Sequence, residues 1–272
     1  MSKVWFITGT SRGIGRAFAE AALERGDKVA ASARNVAVLE ELVTKYGEQA
    51  VLPLALDVTD KAAVATAVGA AHEKFGRLDV VVNNAGYGLF GMVEEVTEQQ
   101  VRDQLETNFF GAFWVTQAVL PILRAQGGGH IVQISSVGGV AAFPSLGAYQ
   151  ASKWALEGFS DSLSQEVAGL GIKVTIVEPG GFSTDWAGSS AAHAELNPAY
   201  DKVREAMAAQ FGDARYSDPA NAGAALLQIV DAQNPPLRVF FGTQAKEIIE
   251  PVYAQRLQTW ADWDHVSRVA QS

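Results

Sequence analysis

The chain has 272 residues, 48% hydrophobic and 19% charged, with 21 Lys plus Arg against 30 Asp plus Glu and a formal charge of −9 at pH 7. This is the balance of a globular chain long enough to bury a substantial core, and it excludes extended disorder. The acidic excess argues against a nucleic-acid partner, and the absence of cysteine excludes disulfides, thiolate metal sites and cysteine nucleophiles.

The N-terminal apolar run Val4-Trp5-Phe6-Ile7 is too short for a signal-peptide core and leads into Thr8-Gly9 rather than a cleavage site. It reads as a first strand over residues 4–8. Further strands are expected at 28–32, 51–56, 79–83, 130–135 and 173–178. Helical spacing occupies 15–24, 36–46, 61–75, 98–123 and 151–170. The longest uncharged stretch, 107–123, is interrupted by Asn108, Gly111, Thr116, Gln117 and Pro121, so it reads as a buried helix and not a membrane span. A soluble cytoplasmic protein with no membrane partner is the expectation. Val80-Val81-Val82 is apolar at every position, the pattern of a parallel strand covered on both faces. The alternation predicts an α/β fold, a doubly wound (Rossmann) parallel sheet with helices on both faces.

After Pro179 the rhythm breaks. Residues 180–218 read as a loop with a helix near 199–211, followed by a helix at 218–231, a strand at 237–241 and a helical tail from Gln244. No internal repeat or linker separates two cores. One domain over 1–272 is expected, with about 1–185 forming the cofactor and catalytic core. About 186–272 would form a substrate lid and C-terminal elements, including a mobile insertion.

Thr8-Gly9-Thr10-Ser11-Arg12-Gly13-Ile14-Gly15 lies between the first strand and the first helix. Glycine permits a tight turn and lets backbone N–H groups approach a pyrophosphate at the helix N-terminus. The spacing is G-x-x-x-G-x-G, not G-x-G-x-x-G, and a turn without ligand is the alternative. Its place at the first βα turn favours a nucleotide site. At the end of the second strand, an acid would bind the ribose 2′-hydroxyl of NAD. Here Ala33 is followed by Arg34, and Arg12 is available from the glycine turn. Two guanidiniums suit a 2′-phosphate, so NADP(H) is expected over NAD, against the alternative of two solvated surface arginines.

Tyr149 and Lys153 stand four apart at the start of a helical stretch and share a face. Of six tyrosines, only Tyr149 has a lysine at that spacing. An ammonium beside a phenol stabilises phenolate and makes the tyrosine a usable proton donor and acceptor. Ser136 ends the strand at 130–135, on the side where ligands bind in open α/β sheets; a turn or helix-cap role is its alternative.

These residues together make the chain resemble a classical short-chain dehydrogenase/reductase, nearest the hydroxysteroid and retinol dehydrogenase-like members through Tyr87-Gly88-Leu89-Phe90-Gly91. The matching elements are Thr8-Gly9-x-x-x-Gly13-Ile14-Gly15, Asn83-Asn84-Ala85-Gly86, Asn108, Ser136, Tyr149-x-x-x-Lys153 and Pro179-Gly180. They occur in the family's order and cover about residues 4–185. The resemblance implies that Tyr149 protonates a carbonyl oxygen while Ser136 orients it. It implies that Lys153 holds the nicotinamide ribose and depresses the tyrosine pKa, and that Asn108 anchors a water leading to Lys153. It also implies that Asp57-Val58 contacts adenine, that Asn83, Ala85 and Gly86 line the adenosine side and stabilise the sheet, and that Pro179, Gly180, Phe182 and Thr184 hold the carboxamide. Arg12 and Arg34 match the NADP-preferring pattern.

The segments bordering such a site are apolar, with Tyr87, Phe90, Val137, Phe143 and Trp186 as substrate-facing candidates. A small apolar ketone, aldehyde or secondary alcohol is the expected substrate. His72, His130, His193 and His265 lack metal-ligand spacing and read as surface or loop residues, and no required metal is expected. The apolar faces around Phe109, Phe110, Phe113 and Trp114, and around Trp154 and Phe159, suit a subunit interface of a homodimer or homotetramer. A non-catalytic NADP-binding redox sensor on the same fold is the rival reading. The intact Ser136, Tyr149 and Lys153 set favours the enzyme.

Overall fold

The computed structural model describes residues 2–211 and 216–271. β1 (Val4–Ile7) enters a glycine turn and α1 (Gly13–Glu24). β2 (Lys28–Ala33) leads to α2 (Glu40–Tyr46), β3 (Val51–Ala55) to α3 (Lys61–Phe75), and β4 (Val80–Asn83) to a short β5 (Leu89–Phe90). Then come α4 (Glu98–Leu105), α5 (Gly111–Ala125), β6 (Gly129–Ile134), α6 (Gly147–Val167) and β7 (Ile172–Pro179). The chain ends with β8 (Ala192–His193), α7 (Asp201–Phe211), α8 (Pro219–Asp231), β9 (Arg238–Phe241), α9 (Gln244–Asp262) and α10 (Asp264–Gln271).

Seven strands form one parallel sheet in the order β3-β2-β1-β4-β6-β7-β9. Alternate residues of each strand serve opposite layers. Trp5, Ile7, Val29, Val80 and Val82 pack with Phe18 of α1, Leu42 of α2 and Leu226 of α8. Phe6, Ala30 and Val81 pack with Val64 of α3, Val115 of α5 and Leu163 of α6. This two-sided burial is why the strands read as unbroken apolar runs. The winding reverses between β1 and β4, opening a crevice at the carboxyl ends of both strands.

Helix starts follow local chemistry. Asp60 accepts from Ala62 and Ala63 N–H to begin α3, Thr97 and Gln100 form a capping box on α4, and Asp218 caps α8 ahead of Pro219. Beyond shifts of a few residues at other element ends, three elements differ from the sequence reading. The stretch 36–46 divides into a 3-10 turn at Val36–Leu39 and α2, because Asn35 accepts from Ala37 N–H and tightens the entry. The long helix expected at 98–123 carries a π turn at Glu106–Phe110 between α4 and α5. Helix α6 begins at Gly147 rather than 151, so Tyr149 stands inside its first turn.

Within the insertion expected after Pro179, residues 212–215 lie outside the described residues. The described part is more ordered than a loop: Ala192 and His193 pair in parallel with Leu89 and Phe90. Arg204 of α7 donates to Glu95 Oε1 at 2.7 Å, tying this segment to the chain before α4. Among the described residues, no helix is long and apolar enough to cross a membrane.

Candidate active site

The glycine turn is shaped by contacts from β4. Thr8 Oγ1 accepts from the N–H groups of Asn84 and Ala85, each at 3.0 Å. The Asn84 amide donates to Thr8 O at 2.9 Å and Gly9 O at 3.0 Å. Gly9 and Gly13 have φ of 70° and 64°, left-handed conformations that glycine adopts without strain. Any Cβ at Gly15 would collide with the Asn84 amide and Gly9 O. Asn84 received no side-chain role from sequence. Its signal is an Asn pair closing the apolar run Val80-Val81-Val82.

The turn fits a dinucleotide pyrophosphate. Helix α1 has no side-chain cap and no acid in its first turn, so its leading N–H groups and positive dipole end face the crevice. Thr10 is buried and donates to Ser32 O, whereas Ser11 and Arg12 are exposed. Ile14 packs partly against the core. Arg12 donates to Asp185 at 2.7 Å, a partner that sequence did not single out. Arg34 is exposed at the end of β2.

The remaining cofactor candidates divide by where their side chains go. Asp57 is exposed and accepts from Thr59. Val58 is buried and packs against Gly111, leaving its backbone for the crevice. Asn83 is buried and donates to Gln133 Oε1 at 3.0 Å and Thr116 Oγ1 at 3.1 Å, so its amide braces the sheet. Ala85 is half-buried and Gly86 exposed at the crevice. Gly180 N–H donates to Phe241 O next to Pro179. Phe182 packs on the core, and the Thr184 side chain lies over Gly13.

Ser136, Tyr149, Lys153 and Asn108 meet at the carboxyl ends of β4 and β6. Ser136 Oγ accepts from Gly138 N–H at 3.0 Å, so it caps a turn, and its hydroxyl acts on the Tyr149 phenol. Lys153 Nζ donates to Ile134 O at 2.8 Å and stands 5.9 Å from the Tyr149 ring centre. Both residues are buried. Burial pushes the phenol up to about 12, with the Ser136 hydroxyl opposing it. The expected downward pull of Lys153 on Tyr149 is therefore not the governing effect; desolvation is. Burial also pushes the Lys153 ammonium down to about 8, against the charge of Glu157.

Asn108 sits in the π turn, a helix irregularity frequent at functional sites. Its Oδ1 accepts from Tyr87 N–H, and its Nδ2 donates to Tyr87 O and Ser152 Oγ. A Cβ placed on Gly86 would stand 3.0 Å from Asn108 Oδ1 and 3.7 Å from Lys153 Nζ, so these two groups flank the same small space.

The substrate-facing candidates separate into groups. Trp186 stands edge-on to Tyr149 at 5.0 Å between ring centres and to Phe90 at 5.3 Å, forming an aromatic wall over the phenol. Phe90 also stacks on His193. Val137 and Phe143 pack partly with Val140 and Ile249 under α9. Burial and Asp103 raise the Tyr87 phenol pKa, with Arg34 opposing them, which sets this ring towards the end of β2. His130 corrects the surface reading of the histidines: it is buried in β6, bonds Thr175 at 2.9 Å, and burial pushes it down to about 4.

Residues 3–195 match the short chain dehydrogenase family. The chain belongs to that family. This short-chain dehydrogenase is 48% identical to oxidoreductase BOA17 of Botryotinia fuckeliana over 91% of each chain. It is 36% identical to the 3-ketodihydrosphingosine reductase of Bacteroides thetaiotaomicron over 88% of each. A short-chain dehydrogenase structure from Streptomyces avermitilis superposes with a TM-score of 0.93 at 40% identity, covering 99% of this chain and 98% of that one. An alcohol dehydrogenase from the archaeon Thermococcus sibiricus, complexed with 5-hydroxy-NADP, gives 0.75 at 27% identity, covering 89% and 96%. The protein is thus an oxidoreductase of a family that binds a nicotinamide cofactor.

Proposed function

We propose that this short-chain dehydrogenase is an NADP(H)-dependent reductase of small apolar ketones or aldehydes, working on secondary alcohols in reverse. The observation that carries the reading is the Ser136–Tyr149–Lys153 cluster beneath Trp186, next to an uncapped helix N-terminus. A nicotinamide bound in the crevice would supply hydride to the carbonyl carbon. Tyr149, protonated at neutral pH, gives its proton to the carbonyl oxygen, and the Ser136 hydroxyl orients that oxygen. Lys153 holds positive charge behind the phenol and offers its ammonium to the ribose. Asn108 Oδ1 keeps a lone pair beside Lys153 for a water that returns the proton. Trp186 and Phe90 favour an apolar substrate, in line with the keto-sphingoid named for the Bacteroides relative. The reading is tested by titrating NADPH and NADH, then following NADPH loss at 340 nm over a panel of apolar ketones. Binding without turnover of any carbonyl would favour the redox-sensor reading instead.

NADP preference rests on Arg34 and Arg12, the latter exchanging Asp185 for the 2′-phosphate. Arg34→Asp is expected to weaken NADPH binding by about 10- to 100-fold, the worth of one charge-assisted contact, while NADH binding holds or improves. Equal loss for both cofactors in fluorescence titrations would remove Arg34 from the phosphate site. For quaternary structure, Phe109, Phe110, Phe113 and Trp114 form a half-buried aromatic cluster with Phe159 of α6. We propose a homodimer or homotetramer through this face; a monomer mass by light scattering at micromolar concentration would overturn it.

A further inference from the structure

Behind the catalytic cluster, one helical turn beyond Lys153, lies a buried acid that the proposed mechanism leaves unused. Glu157 is 5% exposed and shares the inward face of α6 with Lys153 at the i, i+4 spacing. From β9, Arg238 Nε donates to Glu157 Oε2 at 3.1 Å, and Arg238 Nη2 donates to Asp161 at 2.7 Å. From β7, Glu178 is 2% exposed and lies 3.8 Å from Arg238. Just after β6, the Ser135 hydroxyl faces the Glu157 carboxyl, both standing where a Cβ on Gly139 would lie. Glu157 Oε1 and Glu178 Oε1 complete no hydrogen bond. Two buried carboxylates thus share one arginine, and Lys153 is the cation on the other side.

We propose that Glu157 is a positioning residue for the reaction, the counter-charge that keeps Lys153 an ammonium, with Arg238 holding Glu157 in place and ionised. Its kinetic consequence rests on the reductase reading; its effect on Lys153 does not. Burial alone drives a lysine towards the neutral amine, and a nearby opposite charge opposes that drift, as Glu157 does for Lys153. The charges around Glu157 act in both directions. Burial raises its carboxyl pKa, while Ser135, Arg238 and Lys153 lower it. Glu178 is pushed up to about 7 by burial and by the charge of Glu157, with Arg238 opposing. Glu178 is thus the acid of the two pushed towards keeping its proton, while Ser135, Arg238 and Lys153 all favour the charged form of Glu157.

The experiment follows Lys153 directly, by carbon–proton NMR of enzyme labelled in its lysine side chains, with the signal assigned through Lys153→Arg. In Glu157→Gln, which keeps the side-chain shape, the Lys153 midpoint should fall by about one pH unit or more. In Glu178→Gln it should hold, because Glu157, the acid facing Lys153, is kept; a merely structural role would move both variants alike. Should Glu157→Gln fail to fold, Arg238→Met, on the half-exposed edge strand, reads the same effect: Glu157 takes a proton and the Lys153 midpoint falls. A midpoint unmoved in Glu157→Gln, or in Arg238→Met if that variant is needed, overturns the inference. NADPH-linked reduction adds a second readout, since the alkaline limb of kcat/KM should move to lower pH with the Lys153 midpoint. A moved midpoint with no turnover of any carbonyl leaves the inference standing and sinks the reductase reading.

Discussion

Tyr149→Phe is expected to lower kcat for carbonyl reduction by roughly 10²- to 10⁴-fold, the usual worth of a positioned general acid. NADPH affinity should change by no more than about twofold, because the phenyl ring keeps the edge contact with Trp186 and the packing of the first turn of α6. The measurement pairs initial rates at 340 nm with cofactor fluorescence titration. A variant that keeps its full rate would remove Tyr149 as proton donor. One that loses cofactor binding and rate together would make its role structural.

The electrostatics of the site set the direction in which the wild-type enzyme works best. With its pKa pushed up to about 12, the phenol carries its proton throughout the neutral range and serves as acid without prior activation. Lys153, pushed down to about 8, is the first of the pair to lose its proton as pH rises. Reduction should therefore be level below pH 8 and decline above it, with the decline reporting the lysine and not the tyrosine. Oxidation of an alcohol needs the phenolate beside the ammonium, a state that grows with pH up to about 8 and levels off once the lysine loses its proton.

The layout of the sheet was legible in the sequence because each parallel strand is buried on both faces, which leaves an unbroken apolar run such as Val80-Val81-Val82 between helical patterns. Tyr149 and Lys153 were legible because helical periodicity is local. What the sequence hid depends on contacts between distant segments. Asp185 meets Arg12 only when the chain after β7 folds back over the glycine turn. Asn83 and Asn84 are neighbours with opposite duties, and only the pleat of β4 decides which braces the sheet and which ties down the turn. The π turn at Asn108 has no composition signal, since one additional residue in a helical turn leaves the apolar pattern on either side intact. Glu157 reads as an ordinary helix charge until β7 and β9 bring Glu178 and Arg238 against it.

Gly15→Ala should be the most damaging single-methyl change in the crevice. The added carbon would meet the Asn84 amide on one side and the Gly9 carbonyl on the other. The amide can rotate away only by giving up its bonds to Thr8 O and Gly9 O, and the carbonyl belongs to a backbone already committed to a left-handed turn. Overpacking of this kind costs about 3 kcal/mol, which lowers Tm by roughly 6–12 °C in a chain of this size. The accompanying shift of the turn should also weaken NADPH binding. Gly69 provides the matched control, being a glycine in the exposed interior of α3 with open space where its Cβ would stand. There the same substitution should stabilise by about 1 kcal/mol, the difference in helix propensity between glycine and alanine. Opposite signs at two helical glycines, read by thermal unfolding, would separate crowding at the turn from backbone entropy. Equal and favourable shifts would mean that the turn has room for a side chain and that Asn84 does not hold it.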